Sequence, residues 1–211
     1  MRLAVLTTDT PHHRWFIAGL AMAPVVVLYE RRAGKSVPFM EAEQDAPFGD
    51  VRLPERKAMI EVHSANQPGV PEYLRANGIE AAISFGIGKL LRSTFAAPPL
   101  GTINVHRGII ERYRGLDSEF WAVHRGERDH IGTTLHFVDD DLDTGAVVAQ
   151  RRCQPRRFTD LRFATTALQL ANEMLKDWPR KGEKRAPGEY FGAMTAAQKA
   201  EAFERSAQWT R

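Results

Sequence analysis

Asn104 and His106 stand two residues apart in the run Ile103-Asn104-Val105-His106. If that run is a strand, both side chains leave the same face, because successive residues of a strand point to opposite faces. An amide beside an imidazole can polarise a carbonyl and move a proton, although such a pair also occurs as a purely structural contact. Farther on, Asp139-Asp140-Asp141-Leu142-Asp143-Thr144-Gly145 packs four carboxylates into five residues. Their repulsion asks for a compensating reason: a polar hairpin turn, a calcium loop or a catalytic acid. Calcium fails on spacing. With Asp139 at position one, the glycine falls at position seven rather than six and Gln150 rather than Glu holds position twelve. No metal is expected.

Other residues suggest chemistry and then lose it. Gly86-Ile87-Gly88-Lys89 has the outline of a phosphate loop, but Leu90 replaces the hydroxyl residue and the upstream glycine is missing. Thr8-Asp9-Thr10-Pro11-His12-His13 contains no glycine, so it cannot be the tight turn of a dinucleotide site. His12 and His13 read as a solvated or helix-start pair. Cys153, the single cysteine, reads as a buried small residue and excludes an internal disulfide. Trp121 reads as a core residue.

The elements that must position these residues alternate between strand and helix. Strands are expected at Arg2 to Thr7, Val25 to Tyr29, Ile79 to Phe85, Ile103 to His106, Ile131 to Val138 and Ala146 to Cys153. Helices are expected at Pro11 to Ala21 with Thr10 as N-cap, around Pro54 to Val62, at Pro71 to Asn77, and from Asp117 or Ser118 to His124. The longest spans Asp160 to Trp178, capped by Thr159, its apolar stripe running through Leu161, Ala164, Leu168, Ala171, Leu175 and Trp178. Such alternation argues for an α/β, Rossmann-like, mostly parallel twisted sheet with helices on both faces. Ligands of open sheets bind beyond the carboxyl ends of strands, which directs attention to the residues after Leu6, Phe85, Val105 and Val138. The expected organisation is a core over 1–178, a linker over 179–188 and a small C-terminal appendage over 189–211 with a helix at Ala196 to Trp209. The appendage's apolar Tyr190, Phe191, Met194, Phe203 and Trp209 can pack on the same chain or on a second copy, which admits a homodimer.

The chain has 211 residues, 43% apolar and 26% charged, with a formal net charge of +3. That size suits one domain with a core of its own. No apolar run is long enough for a signal peptide or a membrane span, so a cytoplasmic location is expected, with no membrane partner. Between Arg151 and Arg185, ten basic side chains stand against four acidic ones. This basic segment reads as a solvated surface rather than a nucleic-acid module, since no paired Cys/His or aromatic–basic signature accompanies it.

Asn104-Val105-His106, Tyr113-Arg114-Gly115, Thr134-Leu135-His136-Phe137-Val138, Leu142-Asp143-Thr144-Gly145 and Gln150 follow in that order. The run resembles the folate-dependent formyltransferases, closely over 79–153 and loosely in the flanking sheet. The resemblance implies the formyltransferase fold, with Asn104, His106 and Asp143 as catalytic residues. The donor 10-formyltetrahydrofolate is then expected against Phe85, Gly88, Lys89, Leu90, Asp139, Asp140 and Asp141. The acceptor is expected against Thr8, Asp9, Arg107, Tyr113, Arg114 and Gly115. In these roles Asn104 donates to the developing oxyanion, His106 takes the amine proton, and Asp143 orients the imidazole; His136 either supports Asp143 or is a satisfied core histidine.

Three departures shape the substrate expectation. Arg107 and Gly108 stand where the family has Pro and Ser. The first turn lacks the Gly-Asn-Gly-Ser loop of the glycinamide ribonucleotide enzyme, and residue 211 leaves no room for the second domain of the tRNA enzyme. With the run Tyr113 to Trp121, this makes the sequence most similar to the sugar N-formyltransferases. A nucleotide-diphospho-amino sugar is then the expected acceptor, on the way to surface polysaccharide, with Arg107, Arg112, Arg114 and Arg125 as diphosphate contacts or surface ion pairs. The alternatives are formylation of glycinamide ribonucleotide or another small amine, and a non-catalytic folate-binding homologue.

Overall fold

The computed structural model describes residues 1–30, 48, 58–153 and 162–210. β1 (Leu3–Thr8) is buried along its whole length, as a near-continuous apolar run requires when both faces of a strand are covered. It is flanked by β2 (Val26–Glu30) and β4 (Ala81–Phe85), with β3 (Ala58–Val62) beyond β2. On the other side follow β5 (Thr102–His106), β7 (Gly132–Phe137) and β8 (Val147–Arg152). The seven-stranded order is β3-β2-β1-β4-β5-β7-β8. The first five strands are parallel, and β7 and β8 are antiparallel to their neighbours.

Alternation sends Leu3, Val5, Ile83, Ile103, Val105 and Leu135 to one face, where they meet Phe16 and Ile17 of α1 (Pro11–Gly19) and Ala167, Leu170, Ala171, Met174 and Leu175 of α5 (Arg162–Lys176). Ile83 and Ile103 are fully buried, and truncating either to Ala would cost about 2–5 kcal/mol. Ala4, Leu6, Val26, Leu28 and Ala82 face the other way, against Val70 and Leu74 of α2 (Val70–Ala76) and Ala97, which follows the short α3 (Arg92–Phe95). That same face carries Ser84, Asn104, His106, Thr134 and His136, as their pairing registers show.

A third nucleus lies beside the polar half of this face. It joins Tyr113 of β6 (Tyr113–Gly115), Phe120, Ala122 and Val123 of α4 (Ser118–His124), Phe191 of β9 (Glu189–Phe191) and Ala202 of α6 (Ala196–Ala207). β6 and β9 form a separate parallel two-stranded ribbon. Residues 189–210 thus pack on the same chain. The segment before them is tied down as well: Glu183 bridges Val147, Lys184 pairs with Asp139 at 2.8 Å, and Arg185 pairs with Glu111 at 2.8 Å.

Several sequence expectations are corrected. Residues 58–62, expected at the end of a helix from Pro54, form β3 in register with β2. Pairing with an open sheet edge outweighs the helix preference of Glu-Arg-Lys-Ala-Met, since strand stability is set by neighbours more than by local propensity; residues 54–57 lie outside the described residues. Thr159 to Leu161 also lie outside them, and α5 ends at Lys176, before Trp178, whose indole donates to Leu100 O at 2.9 Å. His13 is buried and Cys153 half-buried. Among the described residues, no helix is long and apolar enough to cross a membrane.

Candidate active site

Asn104 and His106 project together from β5, and Asp143 reaches them from the turn between β7 and β8. Asp143 Oδ1 accepts from the Asn104 amide at 3.1 Å and lies 3.3 Å from His136 Nε2. Its Oδ2 accepts from the Gly115 N–H at 2.8 Å and lies 3.4 Å from His106 Nδ1. Both carboxylate oxygens are therefore claimed, two partners each. Asp143 is buried, and burial by itself would raise its pKa. The charge of His106, the hydrogen bond and charge of His136, and the Gly115 N–H outweigh that and hold the carboxyl far below the usual range.

The turn achieves this placement at a local cost. Asp143 has φ of +52°, a left-handed conformation that Asp tolerates better than most residues. Gly145 is required by space: a Cβ there would lie 1.6 Å from Phe137 O. That carbonyl faces His136 Nδ1 at 2.8 Å, so the glycine lets the turn close over the group that orients the imidazole. His136 also sits where the β7–β8 register shifts, a bulge of the kind that re-aims side chains beside sites.

Each imidazole lies between a carboxylate oxygen and a backbone carbonyl, for His106 Nε2 donates to Tyr113 O at 3.0 Å. The carboxylate and the carbonyl can only accept, while the Asn104 amide nitrogen lies 3.2 Å from His136 Nε2 and can donate to it. Both ring nitrogens of His106 thus face acceptors, and both Asp143 oxygens are met by N–H groups or imidazole nitrogens.

The end of β7 also differs from expectation. Because β7 runs opposite to β5, Phe137 stands opposite Ile103 rather than His106. The acidic turn does not lie on the carboxyl edge of the sheet; it folds back across the polar face. Its outer carboxylates are spoken for: Asp139 by Lys184 and by the Thr144 hydroxyl at 2.7 Å, Asp140 by Arg92, and Asp141 by Lys89 at 3.8 Å. The last two pairs span the gap to the loop after β4. There Gly88 and Lys89 are exposed, Phe85 and Leu90 are buried, and the Asn66 amide donates to Lys89 O at 2.7 Å while accepting from Leu91 N–H at 2.7 Å. Leu90 is buried in the core beneath these loops, and Ile87 and Val138 pack half-buried against it. Backbone edges over an apolar floor suit a flat heterocycle with a polar rim.

The residues expected to meet the acceptor are not all brought to the cluster. Thr8 is buried beside His13 Nδ1 at 3.1 Å, and Asp9 is held by Nε and Nη2 of Arg14 at 2.5 and 2.7 Å. Tyr113 is fully buried, so its phenol is a core group; its carbonyl serves the site instead. Burial pushes its pKa up to about 12. Arg107 pairs with the buried Glu119, Arg112 with Glu127 at 2.6 Å, and Arg125 with Glu189 at 3.6 Å. Arg114 donates to Leu142 O at 2.9 Å and Gly188 O at 2.8 Å, which makes it a clasp on the acidic turn. All four arginines are engaged inside the chain. Gly108 wraps tightly, for a Cβ there would stand 2.6 Å from His106 Nε2.

Three contributors escaped the sequence reading. Ser84 donates to Asn104 Oδ1 at 2.8 Å, and its position at the end of an expected strand was the available signal. Glu119 fixes Arg107, and Asn66 braces the loop after β4; no local pattern marks either. Gln150, part of the quoted run, donates to Glu111 at 2.6 Å and Thr134 at 3.0 Å.

An open, mostly parallel α/β sheet with this cluster on its polar face has the formyltransferase fold. A sugar N-formyltransferase from Shewanella sp FDAARGOS_354 superposes with a TM-score of 0.65 at 12% identity, covering 98% of this chain and 87% of that one. The chain belongs to the formyl transferase family, which matches residues 4–160. Methionyl-tRNA formyltransferase of Azobacteroides pseudotrichonymphae genomovar. CFP2 is 28% identical over 144 residues, 67% of this chain and 42% of that protein. The chain thus spans less than half the length of that relative. The formyltransferase PseJ from Anoxybacillus kamchatkensis, solved in complex with UDP-4,6-dideoxy-4-formamido-L-AltNAc and tetrahydrofolate, superposes with a TM-score of 0.57 at 14% identity, covering 97% of this chain and 99% of that one.

Proposed function

We propose that the protein transfers a formyl group from 10-formyltetrahydrofolate to a primary amine, and that the amine is carried by a nucleotide-linked amino sugar. The observation that carries the reading is the Asn104–His106–Asp143 cluster in a chain of this family. The sugar acceptor rests on two structural neighbours, one a sugar N-formyltransferase and one holding a formamido sugar nucleotide. The loops at 85–90 and 139–141 would hold the folate, which supplies an activated formyl carbon.

In the reaction the amine nitrogen bonds to the formyl carbon, the bond from that carbon to the folate nitrogen breaks, and the proton lost by the amine ends on the folate nitrogen. Asn104, its carbonyl end fixed by Ser84, offers N–H to the oxygen that gains charge; a donor already aimed there lowers the barrier by about 3 kcal/mol. His106 Nδ1 lies beside it as a second donor. Asp143, kept ionised, accepts the amine proton directly or through one water. Incubation with 10-formyltetrahydrofolate and a panel of UDP-, dTDP- and GDP-linked amino sugars, followed by tetrahydrofolate release and product mass, tests the reading. Release dependent on one of these amines is expected; a protein that binds the folate but formylates none of them would refute it.

A further inference from the structure

We infer that Tyr190, with Leu116, forms the surface on which the acceptor's sugar ring rests while its amine faces Asp143. The inference deepens the nucleotide-sugar reading and depends on it.

In the β6–β9 ribbon, Arg114 stands opposite Tyr190 and Gly115 opposite Phe191. Tyr113 and Phe191 turn inward to the third nucleus. Arg114 and Tyr190, on the alternate positions, share the other face, and Arg114 binds Leu142 O of the acidic turn. Tyr190 therefore lies on the face that meets the turn bearing Asp143. It is 50% exposed, and Leu116, whose N–H donates to Phe191 O at 3.0 Å, is 55% exposed. These are large apolar surfaces left in water beside a polar cluster.

Gly115 joins them to the chemistry. A Cβ there would lie 2.7 Å from Tyr190 Cε2, so the phenol ring lies against the bare Gly115 backbone. The N–H of that same residue holds Asp143 Oδ2 at 2.8 Å. One peptide unit separates the aromatic ring from the carboxylate. An amine that gives its proton to Asp143 must have its carrier atoms within a few bonds, so those atoms reach Tyr190 and Leu116. A hexose ring fits this surface: one side presents C–H groups that pack on an aromatic face, while its hydroxyls point to water. The ribbon also explains why residues 189–191 are held to the core, since they carry this surface to the site.

The test compares wild type, Tyr190→Ala, Tyr190→Phe and Leu116→Ala in steady-state transfer from 10-formyltetrahydrofolate to a UDP-linked 4-amino-4,6-dideoxyhexose. Tyr190→Ala should raise the acceptor KM about tenfold, the scale of one lost aromatic contact, with kcat and the folate KM unchanged. Leu116→Ala should raise it less, and Tyr190→Phe should match wild type. An acceptor KM unmoved by Tyr190→Ala, with wild type active, overturns the platform and leaves the sugar reading standing. Wild type that binds 10-formyltetrahydrofolate yet formylates no nucleotide-linked amino sugar overturns both.

Discussion

Ser84 and Asn104 face each other across the parallel pair β4–β5, and the serine hydroxyl donates to the asparagine carbonyl oxygen at 2.8 Å. This bond holds the carbonyl end of the amide away from Asp143. With it, the amide nitrogen points at the carboxylate and at His136; without it, the amide can turn over and present oxygen to oxygen. Ser84→Ala should lower the single-turnover transfer rate about tenfold, the worth of one buried hydrogen bond, with folate affinity unchanged. A rate equal to wild type would show that Asn104 is oriented by other means.

Asp143→Asn and His106→Asn remove two ionisable side chains of the same cluster. Transfer should fall by about 10²–10⁴-fold, while calorimetric titration with a non-transferable folate keeps the wild-type affinity. Full activity in Asp143→Asn would rule out its role as the proton acceptor.

Two glycines of the site loops should respond unequally to alanine. At Gly145 the added methyl would overlap Phe137 O, whereas at Gly88 nothing lies within 4 Å. Gly145→Ala should cost about 3 kcal/mol or more in denaturant unfolding. Gly88→Ala should stay within about 0.5 kcal/mol. Equal stabilities would mean that the acidic turn can relax away from β7.

The carboxylates set an acid limit. Glu127 is lowered to about 2 by its hydrogen bond with Arg112, against the opposing effect of burial, and Asp143 lies lower still. Folded pKa values below the unfolded ones, which are about 4, make both contributions complete above that pH. They are lost as pH falls through the folded values. Stability should therefore hold from neutrality to about pH 4 and decline below it, and Asp143→Asn should flatten part of that decline. Urea melts from pH 7 to pH 2 measure both; a decline that starts near pH 6 in wild type would contradict the assignment.

How much of this was legible beforehand differs from residue to residue. Asn104 and His106 could be placed on one strand face because the strand period is two, and that rule needs no neighbour. The central strands were legible because a strand covered on both sides must be apolar throughout. β3 was not, since its residues prefer a helix alone and become a strand only beside β2. In sequence the arginines near the site read equally as diphosphate contacts or as surface ion pairs; folding gave each an internal partner, and Glu119, which holds Arg107, carries no local mark. Tyr113 looked like a substrate contact and proved to be core, because which face of a short ribbon is covered depends on α4 and β9.

The sequence by itself determined most strands of the central sheet and, through the strand period, the shared face of Asn104 and His106; among the four carboxylates of the acidic turn, only the resemblance to the formyltransferases singled out Asp143. Tertiary structure alone decided that β7 runs antiparallel, that Asp143 shares its two oxygens among Asn104, Gly115 and two histidines, and that Tyr190 lies against Gly115. Those facts depend on contacts between segments distant in the chain, which local preference does not encode.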